Sequence, residues 1–234
     1  LRKILDFDAF SCEFPLMDLD VKICGLKTSE AVAAALEGGA SHIGFIFFAK
    51  SPRNIAPAEA GRLRLAAAGR AKAVAVTVDA TDAELDEIVA ALQPDMLQLH
   101  GHESVERVKE IKRRYGLPVI KAMPLREPAD LADAGAYAAV ADRLLFDAKP
   151  PRGSELPGGN GVSFDWKLLS ALDGSVDYML SGGINARNVG EALASTHARG
   201  VDVSSGVESS AGVKDVGLIR EFFQAVAAAR SVGA

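Results

Sequence analysis

The sequence predicts a single closed (β/α)8 barrel, an α/β fold, and three observations carry that prediction. From Asp20 onward, short apolar and β-branched runs alternate with longer segments whose apolar residues recur at three- and four-residue spacing, the pattern of parallel strands joined by helices. Eight such units fit, with strands near 20–24, 42–47, 72–78, 95–99, 118–122, 143–147, 176–181 and 201–204, and eight is the strand count of that barrel. The 234 residues, 49% of them apolar, suit one such domain and would be cramped for two. An open doubly wound sheet shows the same alternation, but the units here are fairly uniform in length and no Gly-x-Gly-x-x-Gly follows the first strand.

Residues 1–19 do not read like the start of this domain and are expected to form an N-terminal extension ahead of a barrel over 20–234, with Cys12 an ordinary thiol. The first helix is expected to open at Thr28 and Ser29, before Glu30 and an Ala-rich run. Thr81 precedes the helical stretch Asp82 to Ala91, and Asn185 opens the stretch before Val189. The irregular segment is Ala148 to Ser163, which carries Pro150, Pro151, Gly153, Pro157, Gly158, Gly159 and Gly161 ahead of a helix opening at Phe164. A loop so long and so rich in Gly and Pro suits a lid or a binding loop.

The net charge is −5 with Lys and Arg scattered, which argues against a polyanion-binding surface and against nucleic acid as a partner. No run approaches the roughly 20 apolar residues of a membrane helix, and the N-terminus lacks a basic-then-apolar signal. A soluble cytoplasmic enzyme with no membrane partner is expected. The two cysteines, Cys12 and Cys24, are too few for a disulfide framework.

In such a barrel the reactive groups sit at the carboxyl ends of strands. Strand 1 ends in Lys22-Ile23-Cys24-Gly25; its thiol is either a buried small hydrophobe or, with its pKa lowered by a nearby cation or dipole, a proton acceptor. Strand 6 ends in Leu145-Phe146-Asp147, which delivers a carboxyl either to a partly dry pocket as a proton donor or to a cap or loop ion pair. Arg53, after strand 2, is either a fork for a substrate carboxylate or a solvated cation. Gln98 and His100 share one face of strand 4. The strand 7 and strand 8 ends, Ser181-Gly182-Gly183 and Ser204-Ser205-Gly206, supply backbone N–H groups and hydroxyls where barrels usually hold a phosphate.

Seven stretches stand in one order from residue 20 to the C-terminus. They are Lys22-Ile23-Cys24-Gly25-Leu26, Gly44-Phe45-Ile46-Phe47 with Ser51-Pro52-Arg53, Gln98-Leu99-His100-Gly101, Leu145-Phe146-Asp147, Gly158-Gly159-Asn160-Gly161 before Phe164-Asp165-Trp166, Leu180-Ser181-Gly182-Gly183-Ile184-Asn185, and Asp202-Val203-Ser204-Ser205-Gly206-Val207-Glu208. In this register the chain resembles the phosphoribosylanthranilate isomerase family of tryptophan biosynthesis, whose fold is a TIM barrel. The resemblance implies an Amadori rearrangement of N-(5′-phosphoribosyl)anthranilate to 1-(o-carboxyphenylamino)-1-deoxyribulose 5-phosphate, with no metal and no organic cofactor. It implies Asp147 as the general acid on the furanose ring oxygen and Cys24, as thiolate, as the base at C2′. It further implies Arg53 on the anthranilate carboxylate, Gly182, Gly183, Ser204, Ser205 and Gly206 around the phosphate, and Gln98, His100 and Asp202 beside the sugar. Its members are monomers or homodimers, and the sequence leaves that choice open.

Two positions depart from the family pattern: Asn160 where Thr or Ser is commoner, and Asp79 where Asn is usual. Two other functions share part of this pattern. The related phosphoribosyl-amine isomerase of histidine biosynthesis uses two aspartates, one at the strand 1 position held here by Cys24. A barrel that binds a phosphosugar without turning it over would not need competent residues at both proton-transfer positions.

Overall fold

Along each strand successive side chains point alternately inward and outward, and the two sets separate cleanly. In the computed structural model, which describes residues 19–232 other than 68, 151, 152, 154, 155, 160 and 162, eight parallel strands close into a barrel. They are β1 (Asp20–Cys24), β2 (His42–Phe47), β3 (Lys72–Thr77), β4 (Met96–Leu99), β5 (Val119–Leu125), β6 (Arg143–Ala148), β7 (Tyr178–Leu180) and β8 (Gly200–Val203). Pairing of β1 with β8 completes the ring, so the open-sheet alternative is excluded. Cys24, Val74, Val76, Met96, Ile120, Ala122, Leu145 and Met179 form an inner cluster. Their strand neighbours, such as Ile23, Ile43, Leu97, Leu144 and Val201, belong to the larger core that also takes in the helices.

The helices are α1 (Ser29–Gly38), α2 (Pro57–Arg64), α3 (Asp82–Leu92), α4 (Val105–Tyr115), α5 (Ala134–Ala138), α6 (Val189–Ala194) and α7 (Val216–Val232). Thr28 caps α1 by accepting from the Ala31 amide, and Thr81 with Glu84 forms a full capping box on α3, both as expected. Asn188, rather than Asn185, occupies the cap position of α6. The Asn185 carboxamide instead folds the preceding turn, accepting from Arg187 N and donating to the Gly183 carbonyl. The helix expected from Phe164 is a 3₁₀ helix, Trp166–Ala171, opened by Asp165. The Ser170 hydroxyl donates to the carbonyl three residues back, and the Asp173–Ser175 turn ends the segment before α-helical bonding can propagate.

The floor of the barrel is ionic. Arg143 bridges Asp20 at 2.5 Å and Asp177 at 3.0 Å, and fully buried His42 shares a hydrogen bond with Ser41. Burial pushes the His42 imidazole down to about 4, against the opposing pull of Asp20. Unfolded chain takes up this proton near the ordinary 6.5, the native state only near 4, so between those values the unfolded state binds more protons and stability falls as the pH drops. The expected loss is on the order of 3 kcal/mol across that window. Urea melts at closely spaced pH values should show it, with a flatter dependence in His42→Gln. An equally steep decline in the variant would clear His42 of the effect.

Candidate active site

The carboxyl ends of the strands line a cavity that opens to solvent, about 660 Å³ with its open mouth included. Cys24 faces it from β1 and Asp147 from β6, the thiol and the carboxyl expected from sequence. Around the thiol, strand register sets the neighbours: Cys24 lies opposite Gly44 of β2, while Lys22 lies opposite Asp202 of β8. Lys22, wholly buried, donates to Asp202 Oδ1 at 2.8 Å, and the Ser181 hydroxyl approaches Asp202 Oδ2 at 3.4 Å. A Cβ on Gly44 would stand 2.9 Å from the Cys24 sulfur and 3.1 Å from Lys22 Nζ, so only glycine leaves room for both. Burial pushes the Cys24 thiol up, Lys22 is the strongest opposing influence, and Asp202 adds to the rise. Desolvation therefore outweighs the cations, opposite to the lowering that a proton acceptor calls for.

On the opposite wall Asp147 accepts from the adjacent Ala148 amide at 2.9 Å and from His100 Nε2 at 3.2 Å. It caps no helix. Gln98 Nε2 donates to His100 Nδ1 at 3.0 Å, so with the amide oriented this way the imidazole carries its proton on Nε2, toward Asp147. Gln98 and His100 thus share a face, as the strand spacing implies. The loop after β6 folds over this pair. A Cβ on Gly158 would crowd Asp147 Oδ2 and lie 2.7 Å from His100 Nε2, which makes the glycine a steric requirement of the Asp147–His100 contact.

Arg53 is buried, not solvated. Its guanidinium forks onto Glu208 at 2.8 and 2.9 Å and also donates to the Gly159 carbonyl at 3.1 Å. Burial alone would raise the Glu208 carboxyl, yet Arg53 and Lys214 hold it below the usual range. Lys214 is buried as well and donates to Glu208 at 2.5 Å, to the Ser204 carbonyl and to the Ser204 hydroxyl; that hydroxyl in turn reaches the Cys24 carbonyl at 3.1 Å.

Gly182 and Gly183 line the cavity with φ of +83° and +66°, left-handed values that glycine adopts without strain. Ser204 and Ser205 line it from the end of β8. Gly206 does not. Its α-carbon packs against the turn after β7, where a Cβ would collide with the Ile184 carbonyl.

Sequence reasoning missed Lys22, Glu208 and Lys214 as members of the site. Lys22 was readable, since it sits two residues before Cys24 on the same strand face. Glu208 and Lys214 lie on the small hairpin β9 (Glu208–Ser210) and β10 (Val213–Lys214), and no spacing signal announces that hairpin. Asp79 takes a φ of +48°, which Asn and Asp tolerate best, and its carboxylate accepts from the His102 amide and ring. Cys12 and Asn160 fall outside the described residues. Among the described residues no His, Cys, Asp and Glu group could hold a metal ion, and no helix is long and apolar enough to cross a membrane.

Comparison with known proteins gives one family. The sequence model of N-(5′-phosphoribosyl)anthranilate (PRA) isomerase matches residues 21–225. The N-(5′-phosphoribosyl)anthranilate isomerase of Mesorhizobium japonicum is 70% identical over 214 residues, 92% of this chain and 98% of that protein. The crystal structure of phosphoribosyl anthranilate isomerase from Thermotoga maritima superposes with a TM-score of 0.80 at 34% identity, covering 90% of this chain and 99% of that one. A phosphoribosyl anthranilate isomerase solved in complex with reduced 1-(o-carboxyphenylamino)-1-deoxyribulose 5-phosphate gives 0.78 at 31% identity, with the same coverage. On the extent of these matches, and on a barrel whose mouth gathers a thiol, a carboxyl and two glycine turns, the chain belongs to the N-(5′-phosphoribosyl)anthranilate (PRA) isomerase family.

Proposed function

We propose that this isomerase of tryptophan biosynthesis opens and rearranges N-(5′-phosphoribosyl)anthranilate with Asp147 as general acid and Cys24 as general base. The observation that carries the reading is that these two side chains, remote in sequence, face one cavity from β1 and β6. The product class comes from the relative solved with reduced 1-(o-carboxyphenylamino)-1-deoxyribulose 5-phosphate.

Asp147 gives its proton to the furanose ring oxygen; the C1′–O bond breaks and the anthranilate nitrogen lone pair closes a Schiff base at C1′. Cys24, as thiolate, takes the proton from C2′, and the freed electron pair forms the C1′–C2′ double bond of an enolamine that tautomerises to the ketose. One group must hold a proton while the other lacks it. His100, oriented by Gln98, fixes the Asp147 carboxyl through its Nε2 contact. Asp202 acts chiefly through Lys22 in this reading, where the resemblance placed it beside the sugar. Gly182, Gly183, Ser204 and Ser205 cradle the phosphate with amides and hydroxyls, and Gly206 contributes by seating the Ser205 turn against β7.

Arg53 takes the anthranilate carboxylate, oriented from behind by Glu208 and giving up its contact with Gly159. Arg53→Ala is therefore expected mainly to raise KM; a steady KM with a collapsed kcat would move Arg53 into the chemistry. The assay for all of this is the fluorescence of enzymatically generated phosphoribosylanthranilate. Loss of the anthranilate signal on adding the protein means turnover, and an unchanged signal would leave a barrel that only binds.

A further inference from the structure

We propose that Lys22 is a positioning residue for the proton transfer at C2′: its buried ammonium, held in place by Asp202, is the counter-charge that lets Cys24 ionise inside the barrel. The inference rests on the reading of Cys24 as the base.

Three observations support it. The inner layers of such barrels are normally filled by branched apolar residues, yet the position directly below Cys24 on the same strand face holds a lysine with no exposed surface. A buried ion pair stabilises a fold weakly if at all, so the Lys22–Asp202 pair is poorly explained as a stability device. Finally, an ammonium carries three donors, and Lys22, which donates to Asp202, also has the Cys24 side chain as a hydrogen-bond partner. The sulfur stands beside the ammonium, both groups bordering the space that Gly44 leaves open, and a thiolate accepts from it more strongly than a thiol.

The other charged groups near the sulfur do not substitute for it. Asp202 on β8 is an anion and opposes ionisation. The charge of Lys214 on β10 also favours the thiolate, more weakly than that of Lys22, but its donors are committed to Glu208 and Ser204, as those of Arg53 are to Glu208 and Gly159. His42 lies two residues below Gly44 and is held neutral by burial, while Asp147 and His100 stand on the far wall, hydrogen-bonded to each other. Ionisation needs no co-reactant: the thiol proton leaves to solvent through the cavity, and the thiolate is then free to take the C2′ proton.

The test follows the ultraviolet absorbance of the thiolate against pH in a Cys12→Ser background, with Cys24→Ser as the blank. In Lys22→Met the Cys24 midpoint is expected to rise by about one pH unit or more, and the thiolate-dependent limb of the kcat profile should rise with it. Lys22→Met combined with Asp202→Asn removes the carboxylate that the single change would strand, and circular dichroism shows whether each variant is folded. A midpoint that stays at the wild-type value in a folded variant overturns the proposal. The wild-type chain supplies a check that needs no substitution: the ¹⁵N signal of the Lys22 ammonium should shift in step with Cys24 ionisation, and a signal blind to it also overturns the proposal. Cys24→Ser separates the two levels. If it retains wild-type turnover, the reading of Cys24 as base fails; if it is inactive while the Lys22 variants titrate as wild type, only the role of Lys22 fails.

Discussion

Asp147→Asn is expected to reduce turnover at least about a hundredfold, the usual scale for a proton donor in position, with the barrel intact. The amide matches the carboxyl in size, and its oxygen can still accept from the Ala148 amide. The other half of the group then becomes a donor facing His100 Nε2, where the native carboxylate oxygen accepts. The variant therefore loses the transferable proton and also disturbs the imidazole tautomer that Gln98 sets. Single-turnover fluorescence, with circular dichroism as the control for folding, measures the effect. Activity near wild type would remove Asp147 from the acid role and transfer the search to His100.

Cys24→Ser should cost at least about as much, again a hundredfold or more, because a hydroxyl ionises far less readily than a thiol and the base must be an anion. Oxygen is smaller than sulfur, so the space shared with Gly44 and Lys22 accommodates the change without overpacking. Because burial pushes the native thiol up, kcat/KM, which reports the free enzyme, should keep rising on the alkaline side of neutrality. That rise should disappear in Cys24→Ser. A variant with native activity and a native profile would show that another group takes the C2′ proton.

The places of Cys24 and Asp147 at the barrel mouth were legible because each closes a short apolar strand, and a polar residue at that point in a barrel has few places to go but the mouth. The same period-two logic that paired Gln98 with His100 would have found Lys22, had it been applied to β1. The glycines after β7 were legible as backbone features, since Gly182 and Gly183 sit at positive φ. Gly206 looked identical in sequence and turned out to pack against Ile184, because a glycine signals close approach without saying to what.

What the sequence determined by itself was the eight-unit barrel and the face each strand residue presents, since both are written in local periodicity; the pairing of thiol with carboxyl followed from the resemblance to the family. Only the tertiary structure decided that Arg53 and Lys214 share Glu208, that Gly158 lies on Asp147, and that burial rather than the nearby cations governs the Cys24 thiol. Those features arise where segments remote along the chain converge on ring closure, and the balance of desolvation against charge exists only once the neighbours have been brought together.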